Sequence, residues 1–168
     1  MDRSRRSFIR TKRSDTVIRP PWASSDDSEF TSTCTRCKAC IDACPTGILA
    51  IGQGGFPEAS FAQSGCDECR RCADVCEPKA IDRQLDRKLW ALALTLGPTC
   101  LPLQQVDCRI CQEHCPHEAI SFTPRIGGAP YPIIDQSICT SCGHCLSKCP
   151  TKALTLAVGD EATVTAPT

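Results

Sequence analysis

Sixteen of the 168 residues are cysteines. Thiols at that density pair as disulfides, hold zinc, or hold iron–sulfur clusters. They stand in four quartets and nowhere else: Cys34, Cys37, Cys40, Cys44; Cys66, Cys69, Cys72, Cys76; Cys100, Cys108, Cys111, Cys115; Cys139, Cys142, Cys145, Cys149. Three quartets read C-x2-C-x2-C-x3-C, and the third opens C-x7-C before returning to C-x2-C-x3-C. A tight loop with thiolates two residues apart turns three of them toward one centre, enough for three corners of a cuboidal cluster. The fourth, followed by proline, leaves in another direction and suits a second cluster nearby. Zinc usually takes two separate C-x2-C knuckles and needs no third cysteine two residues on, and disulfides belong to oxidising compartments. Both remain as alternatives that fit the pattern less well than [4Fe–4S] centres.

The quartets group in pairs, 34–44 with 66–76 and 100–115 with 139–149. Exchanging fourth cysteines within each pair gives four complete ligand sets. Cys34, Cys37, Cys40 and Cys76 form the first, and Cys66, Cys69, Cys72 and Cys44 the second. The third is Cys139, Cys142, Cys145 and Cys115, and the fourth is Cys100, Cys108, Cys111 and Cys149. No cysteine is left over. The weakest corner is Cys100, whose seven-residue gap contains Pro102; a three-iron cluster or an unfilled site there is the alternative.

The elements that position these thiols are short. Each fourth cysteine is followed by proline, directly in Cys44-Pro45, Cys115-Pro116 and Cys149-Pro150 and one residue late in Cys76-Glu77-Pro78, and then by a short apolar run. The pattern predicts one helical turn entering a short strand. Gly54-Gly55 and Gly127-Gly128 predict hairpin turns. Alternating large apolar residues from Trp90 to Leu96 predict a strand or extended connection covering the two halves, a partner-binding edge being the sharper alternative. The expected fold is α+β: two tandem bacterial-type two-cluster ferredoxin-like units with short helices and hairpins, behind a flexible N-terminal arm. The boundaries expected are 1–33 for a basic arm and linker, 34–81 for the first unit and 82–99 for a connecting strand or linker. The second unit is expected at 100–156 and a flexible tail at 157–168. Only eight aromatic residues and one methionine are available for a core, so metal binding is expected to supply part of the folding free energy.

The formal net charge of zero, from 19 basic and 19 acidic residues, hides an uneven distribution, because residues 1–19 carry a surplus of positive charge. Such an arm is either a solvated flexible tail or a docking element for an acidic partner, lipid or nucleic acid. Ser4-Arg5-Arg6-Ser7-Phe8-Ile9-Arg10 is close to a twin-arginine export signal, but Thr11-Lys12-Arg13-Ser14-Asp15 follows where an apolar segment would be required. No stretch is long and apolar enough to span a membrane. A cytoplasmic protein with reduced thiols is therefore expected. No radical-SAM cysteine run, Gly-rich nucleotide loop or hydroxyl nucleophile motif is present, so neither an enzyme nor a small-molecule substrate is expected, and no nucleic-acid partner. His114, His117 and His144 are expected in solvent-facing or hydrogen-bonding roles, and Asp67, Glu68 and Asp74 on solvated surface.

Together the four quartets, the aberrant third one, the Arg-rich start and the segment Ile18-Arg19-Pro20-Pro21-Trp22 resemble the NapF family, the ferredoxin-type proteins of the periplasmic nitrate reductase system. The resemblance covers nearly the whole chain. It implies a cytoplasmic iron–sulfur protein that binds NapA, the catalytic subunit, before export and helps assemble or load that subunit's own [4Fe–4S] cluster. Residues 3–22 are then the candidate docking element, with Arg5, Arg6, Arg19 and Trp22 as candidate partner-binding residues. One departure is Glu77 ahead of Pro78, which leaves that exit turn open. An electron-transfer polyferredoxin and a purely structural scaffold are the competing readings.

Overall fold

The computed structural model describes residues 17–24, 26–82 and 88–157. Arg5 and Arg6, and the expected tail beyond Ala157, lie outside them. The chain runs α1 (Asp27–Thr33), α2 (Ala39–Asp42), β1 (Leu49–Ile51), β2 (Pro57–Ala59), α3 (Arg71–Asp74) and β3 (Ala93–Leu96). It continues with α4 (Ile110–Glu113), β4 (Ile120–Arg125), β5 (Gly128–Ile134), α5 (His144–Lys148) and β6 (Leu154–Ala157). Short 3₁₀ turns occupy Gln53–Gly55 and Leu101–Gln104.

The strands form three two-stranded antiparallel sheets, β1 with β2, β3 with β6 and β4 with β5. Gly54-Gly55 and Gly127-Gly128 lie at the turns of the first and last of these, as predicted. In the β4–β5 ladder the register shifts between Thr123 and Arg125. Pro124 sits at the shift, where its missing N–H takes no hydrogen bond from the ladder.

The helical turn falls elsewhere than expected. In all four quartets the short helix precedes the fourth cysteine and carries the third: Cys40 in α2, Cys72 in α3, Cys111 in α4 and Cys145 in α5. Only a tight turn follows the fourth. It leads into β1, β4 and β6 after Cys44, Cys115 and Cys149, and into a single bridge between Ile81 and Ala23 after Cys76. That bridge consumes residues expected to be linker. The segment before the first quartet is a packed part of the first half: Trp22 and Phe30 are buried in one core with Ile48, Leu49, Ile81, Leu89 and Trp90.

The stretch from Trp90 to Leu96 joins both halves. Leu89 and Trp90 are buried with the first core, while Leu94 is buried in the second with Ile120, Leu154 and Cys145. Gln136 clamps this crossing, its Oε1 accepting from Leu94 N–H at 3.2 Å and its Nε2 donating to Leu94 C=O at 2.7 Å. The strand begins at Ala93, which pairs with Ala157, the last described residue of β6.

Candidate metal centres

In three of the quartets the backbone on each side of the second cysteine is left-handed. Arg36 and Lys38 flank Cys37 at φ 59° and 68°, Glu68 and Arg70 flank Cys69 at 55° and 62°, and Ser141 and Gly143 flank Cys142 at 63° and 81°. Non-glycine residues in this region cost about 1–3 kcal/mol each and persist where their surroundings impose them, typically at ligand-binding sites. Alternating right- and left-handed residues curls the chain so that successive N–H groups and side chains face inward, a concavity recurrent at Fe–S sites. The Glu68 N–H, for instance, donates to Cys66 Sγ at 3.4 Å.

The third quartet reaches the same end differently. Neither Asp107 nor Arg109 is left-handed; a 3₁₀ turn over Leu101–Gln104 closes on Gln105 at φ 64°, returning the chain so that Cys100 rejoins Cys108 and Cys111. Pro102 is part of that turn, and the seven-residue gap is a folded excursion.

Four thiols meet at each of three cavities, and in each the fourth cysteine comes from the neighbouring quartet. Cys34, Cys37 and Cys40 share one with Cys76. Cys139, Cys142 and Cys145 share another with Cys115. Cys100, Cys108 and Cys111 share the third with Cys149. In the remaining set Cys66 lies close enough to Cys69 and Cys44, and Cys72 close enough to Cys66 and Cys44, for their charges to repel. The cavity linings are otherwise mainly apolar, including Phe30 and Ile81, Leu94 and Ile120, and Phe122 and Leu154.

This donor set fits iron–sulfur centres. Burial pushes the Cys66 and Cys72 thiols up to about 12, and burial with the charge of Cys142 and Cys139 does the same to Cys145. Burial likewise raises Cys40 and Cys111 to about 11. Clustered thiols that resist ionisation in this way need a strongly bound cation to become thiolates together. At the fourth position backbone donors face the sulfur. Ala119 N–H reaches Cys115 Sγ at 3.3 Å, Ala153 N–H reaches Cys149 at 3.3 Å and Ile81 N–H reaches Cys76 at 3.4 Å. For Cys44 and Cys149 burial opposes the thiolate, but hydrogen bonds from Thr46 and Thr151 and from nearby backbone outweigh it and lower the pKa. Such N–H···S contacts tune cluster potentials.

The exit turns share one geometry. Gly47, Lys79, Glu118 and Lys152, each third after the fourth cysteine, have φ 66°, 60°, 54° and 52°. Each donates its N–H to the C=O of that cysteine at 3.1–3.3 Å. Glu77 is thus no insertion: the turn keeps its length, and proline has moved one place along it.

Two sequence expectations are corrected. Trp22 is 4% exposed, its N–H donates to Leu89 C=O at 3.3 Å, and the Arg70 guanidinium lies over its ring. Arg19 is turned in between the Phe30 and Phe56 rings and pairs with Asp27 at 2.6 Å. Both side chains are built into the packing of the first half, and the expectation of an exposed docking motif does not hold for them. Asp67 is exposed as expected and pairs with His144 at 3.1 Å, whereas Glu68, expected on solvated surface, is half-buried and pairs with His117 at 2.6 Å. Sequence gave no signal for these pairs, since their members are separated by 49 residues or more.

Folded quartets with exchanged fourth cysteines, occurring twice, define a tandem 4Fe–4S dicluster protein, and residues 33–80 and 106–153 match the 4Fe-4S dicluster domain family. The chain belongs, more closely, to the NapF ferredoxin-type proteins. It is 40% identical to the ferredoxin-type protein NapF of Escherichia coli K12 over 92% of this chain and 94% of that one. It is 39% identical to NapF of Haemophilus influenzae over 83% of this chain and 78% of that one. Similarity extends to the ferredoxin-type protein NapG of Escherichia coli K12, at 30% identity over 79% and 65% of the two chains. Two dicluster domains correspond to four clusters.

Proposed function

We propose that the sixteen cysteines ligate four [4Fe–4S] centres in the exchanged sets given above, Cys100 included, and that the protein serves the maturation of the periplasmic nitrate reductase catalytic subunit NapA. In this reading it assists the assembly or loading of that subunit's own cluster in the cytoplasm, before export, and has no catalytic reaction of its own. The functional units are residues 34–81 and 100–156, with 82–99 between them. The observation that carries the ligand assignment is the arrival of Cys76, Cys115 and Cys149 among the neighbouring quartet's first three, with Cys44 close to Cys66 and Cys72. The Nap assignment is supported by similarity to NapF and NapG across most of the chain. Among the described residues no helix is long and apolar enough to cross a membrane, in keeping with a cytoplasmic site of action.

With Arg19 and Trp22 turned inward, Arg5 and Arg6 are left as the docking candidates, and the truncation that tests them stops at Thr16 so that the first core stays whole. Loss of NapA capture by the truncated chain is expected, and undiminished capture refutes a docking arm. The maturation role is tested by iron content of the reductase from cells lacking this protein. Reductase deficient in iron is the expected result; fully loaded but under-reduced reductase would assign the protein to electron supply.

A further inference from the structure

The two dicluster units meet through the loops that carry the second and third ligand sets. Cys66 N–H donates to Cys142 C=O at 2.7 Å, and both cysteines are buried. Glu68, two residues on, accepts from Thr140 Oγ1 at 2.9 Å and pairs with His117 at 2.6 Å. Asp67 pairs with His144 at 3.1 Å. Ser141, 2% exposed, donates from Oγ to Leu92 C=O at 2.7 Å, on the connection between the halves.

Two glycines show how close the loops come. A Cβ on Gly65 would meet the backbone nitrogen of His144 at 2.5 Å, and one on Gly143 would run into the Phe61 ring. Neither backbone has room to withdraw, because Gly65 adjoins Cys66 and Gly143 adjoins Cys142.

We infer that this contact joins the two units into a single four-centre electron path, with the Cys66–Cys142 hydrogen bond bridging the second and third centres; the inference rests on the ligand sets proposed above. Within each unit the two centres lie side by side, because α2 with Cys40 packs against α3 with Cys72, and α4 with Cys111 against α5 with Cys145. Between units, the route from the Cys66 sulfur to the Cys142 sulfur crosses only the atoms of those two residues and one hydrogen bond. The centres then lie in the order first, second, third, fourth. Electrons enter in one unit and leave from the other. The step is the passage of one electron from a reduced cluster to its oxidised neighbour, and no bond breaks and no proton moves. A low-potential one-electron donor supplies the electron at one end, and a one-electron acceptor of higher potential takes it at the other.

Anaerobically loaded full-length protein, reduced with dithionite, provides the test. Iron and sulfide analysis first establishes whether four clusters are present; fewer would overturn the ligand sets independently of the bridge. With four present, EPR of the fully reduced protein is expected to show magnetic interaction extending across all four centres. Gly65→Val, which forces the loops apart, is expected to keep its iron and to give the spectrum of two independent coupled pairs. Glu68→Ala, which removes the acceptor of both Thr140 and His117, is the second variant and is expected to shift the spectrum the same way. Hydrogen exchange at the Cys66 amide reports the contact itself, protected in wild type and released in the variants. Full iron, a released Cys66 amide and an unchanged spectrum overturn the path, as does a Cys66 amide already unprotected in the wild-type protein.

Discussion

Around its first pair of thiol sites the chain packs Trp22, Phe30, Ile48, Ile81, Leu89 and Trp90 into one core, with Phe56 and Phe61 partly buried against it. Around the second pair the buried core is Leu94, Ile120 and Leu154 with Cys145. The difference comes from what lies outside the quartets. The first half recruits Ile18 to Phe30 ahead of its first cysteine and Leu89 to Trp90 beyond its last. Among the described residues the second half adds the β3–β6 pair and the β4–β5 hairpin, and its Ile126, Ile133 and Ile138 face solvent. Metal binding is folding free energy wherever the unligated site does not hold itself together, so the halves should depend on their clusters unequally.

Removal of iron by anaerobic chelation should therefore have the largest effect, and an asymmetric one. Amide protection should collapse through residues 100–157 while Phe30, Ile48 and Ile81 keep part of theirs, as read by hydrogen exchange with mass spectrometry. Equal loss in both halves would show that the aromatic core adds no independent stability.

The iron-free chain should also respond to alkali. A thiol whose folded pKa exceeds its ordinary value of 9.0 holds its proton longer in the fold. The stability it contributes is complete below about pH 9 and is lost as the pH rises through about 12, with the sign given by proton linkage. Unfolding midpoints of the iron-free protein should accordingly fall above pH 9, since both halves hold such thiols, Cys66 and Cys72 in the first and Cys145 in the second. A midpoint that rises with pH would contradict the burial of these thiols.

Trp22→Ala should remove about 3–5 kcal/mol from the first half, the usual range for truncating a buried aromatic, and leave the second half's protection unchanged. Its failure to destabilise would return Trp22 to the surface role suggested by its sequence context. Cys100→Ser should cost less than Cys139→Ser. Cys100 is held by a separate 3₁₀ turn, so its loss should leave a three-iron centre and the rest of the fourth site, whereas loss of Cys139 should empty the third site. Iron analysis and EPR of the oxidised protein separate the two.

How much of this was legible beforehand varies with the distance over which each feature is written. The quartets and the glycine hairpins are local patterns legible in spacing, and the exchange of fourth cysteines was expected from the two-cluster ferredoxin arrangement that such quartets adopt. The position of the helical turn was misplaced because proline after Cys44, Cys115 and Cys149 suits the second place of a tight turn as well as the first turn of a helix. The left-handed residues Arg36, Lys38, Glu68 and Arg70 carry no sequence mark, because nothing in their side chains prefers that conformation. Arg19 and Trp22 looked like a surface motif since their burial depends on Phe30, Phe56, Leu89 and Arg70, far along the chain. The contact of Glu68 with His117 and Thr140 is written nowhere locally, and only the fold brings it together.

The smallest expected effect concerns the exit turns, where four equivalent positions carry different residues. Gly47 holds φ 66° in the first turn, and Glu118 holds 54° at the same place in the third. Left-handed backbone costs a side-chain-bearing residue about 1–2 kcal/mol, and glycine gives back about 0.5–1 kcal/mol through the larger entropy it loses on folding. Glu118→Gly should thus stabilise the second half slightly, by up to about 1 kcal/mol, and Gly47→Glu should destabilise the first by a similar amount. A Cβ on Gly47 would meet nothing within 4 Å, so conformation alone is at stake there. Thermal unfolding of loaded protein, followed through cluster absorbance, reads both. Destabilisation by Glu118→Gly would mean that the carboxylate of Glu118, beside His117 and the third centre, contributes more than its backbone costs.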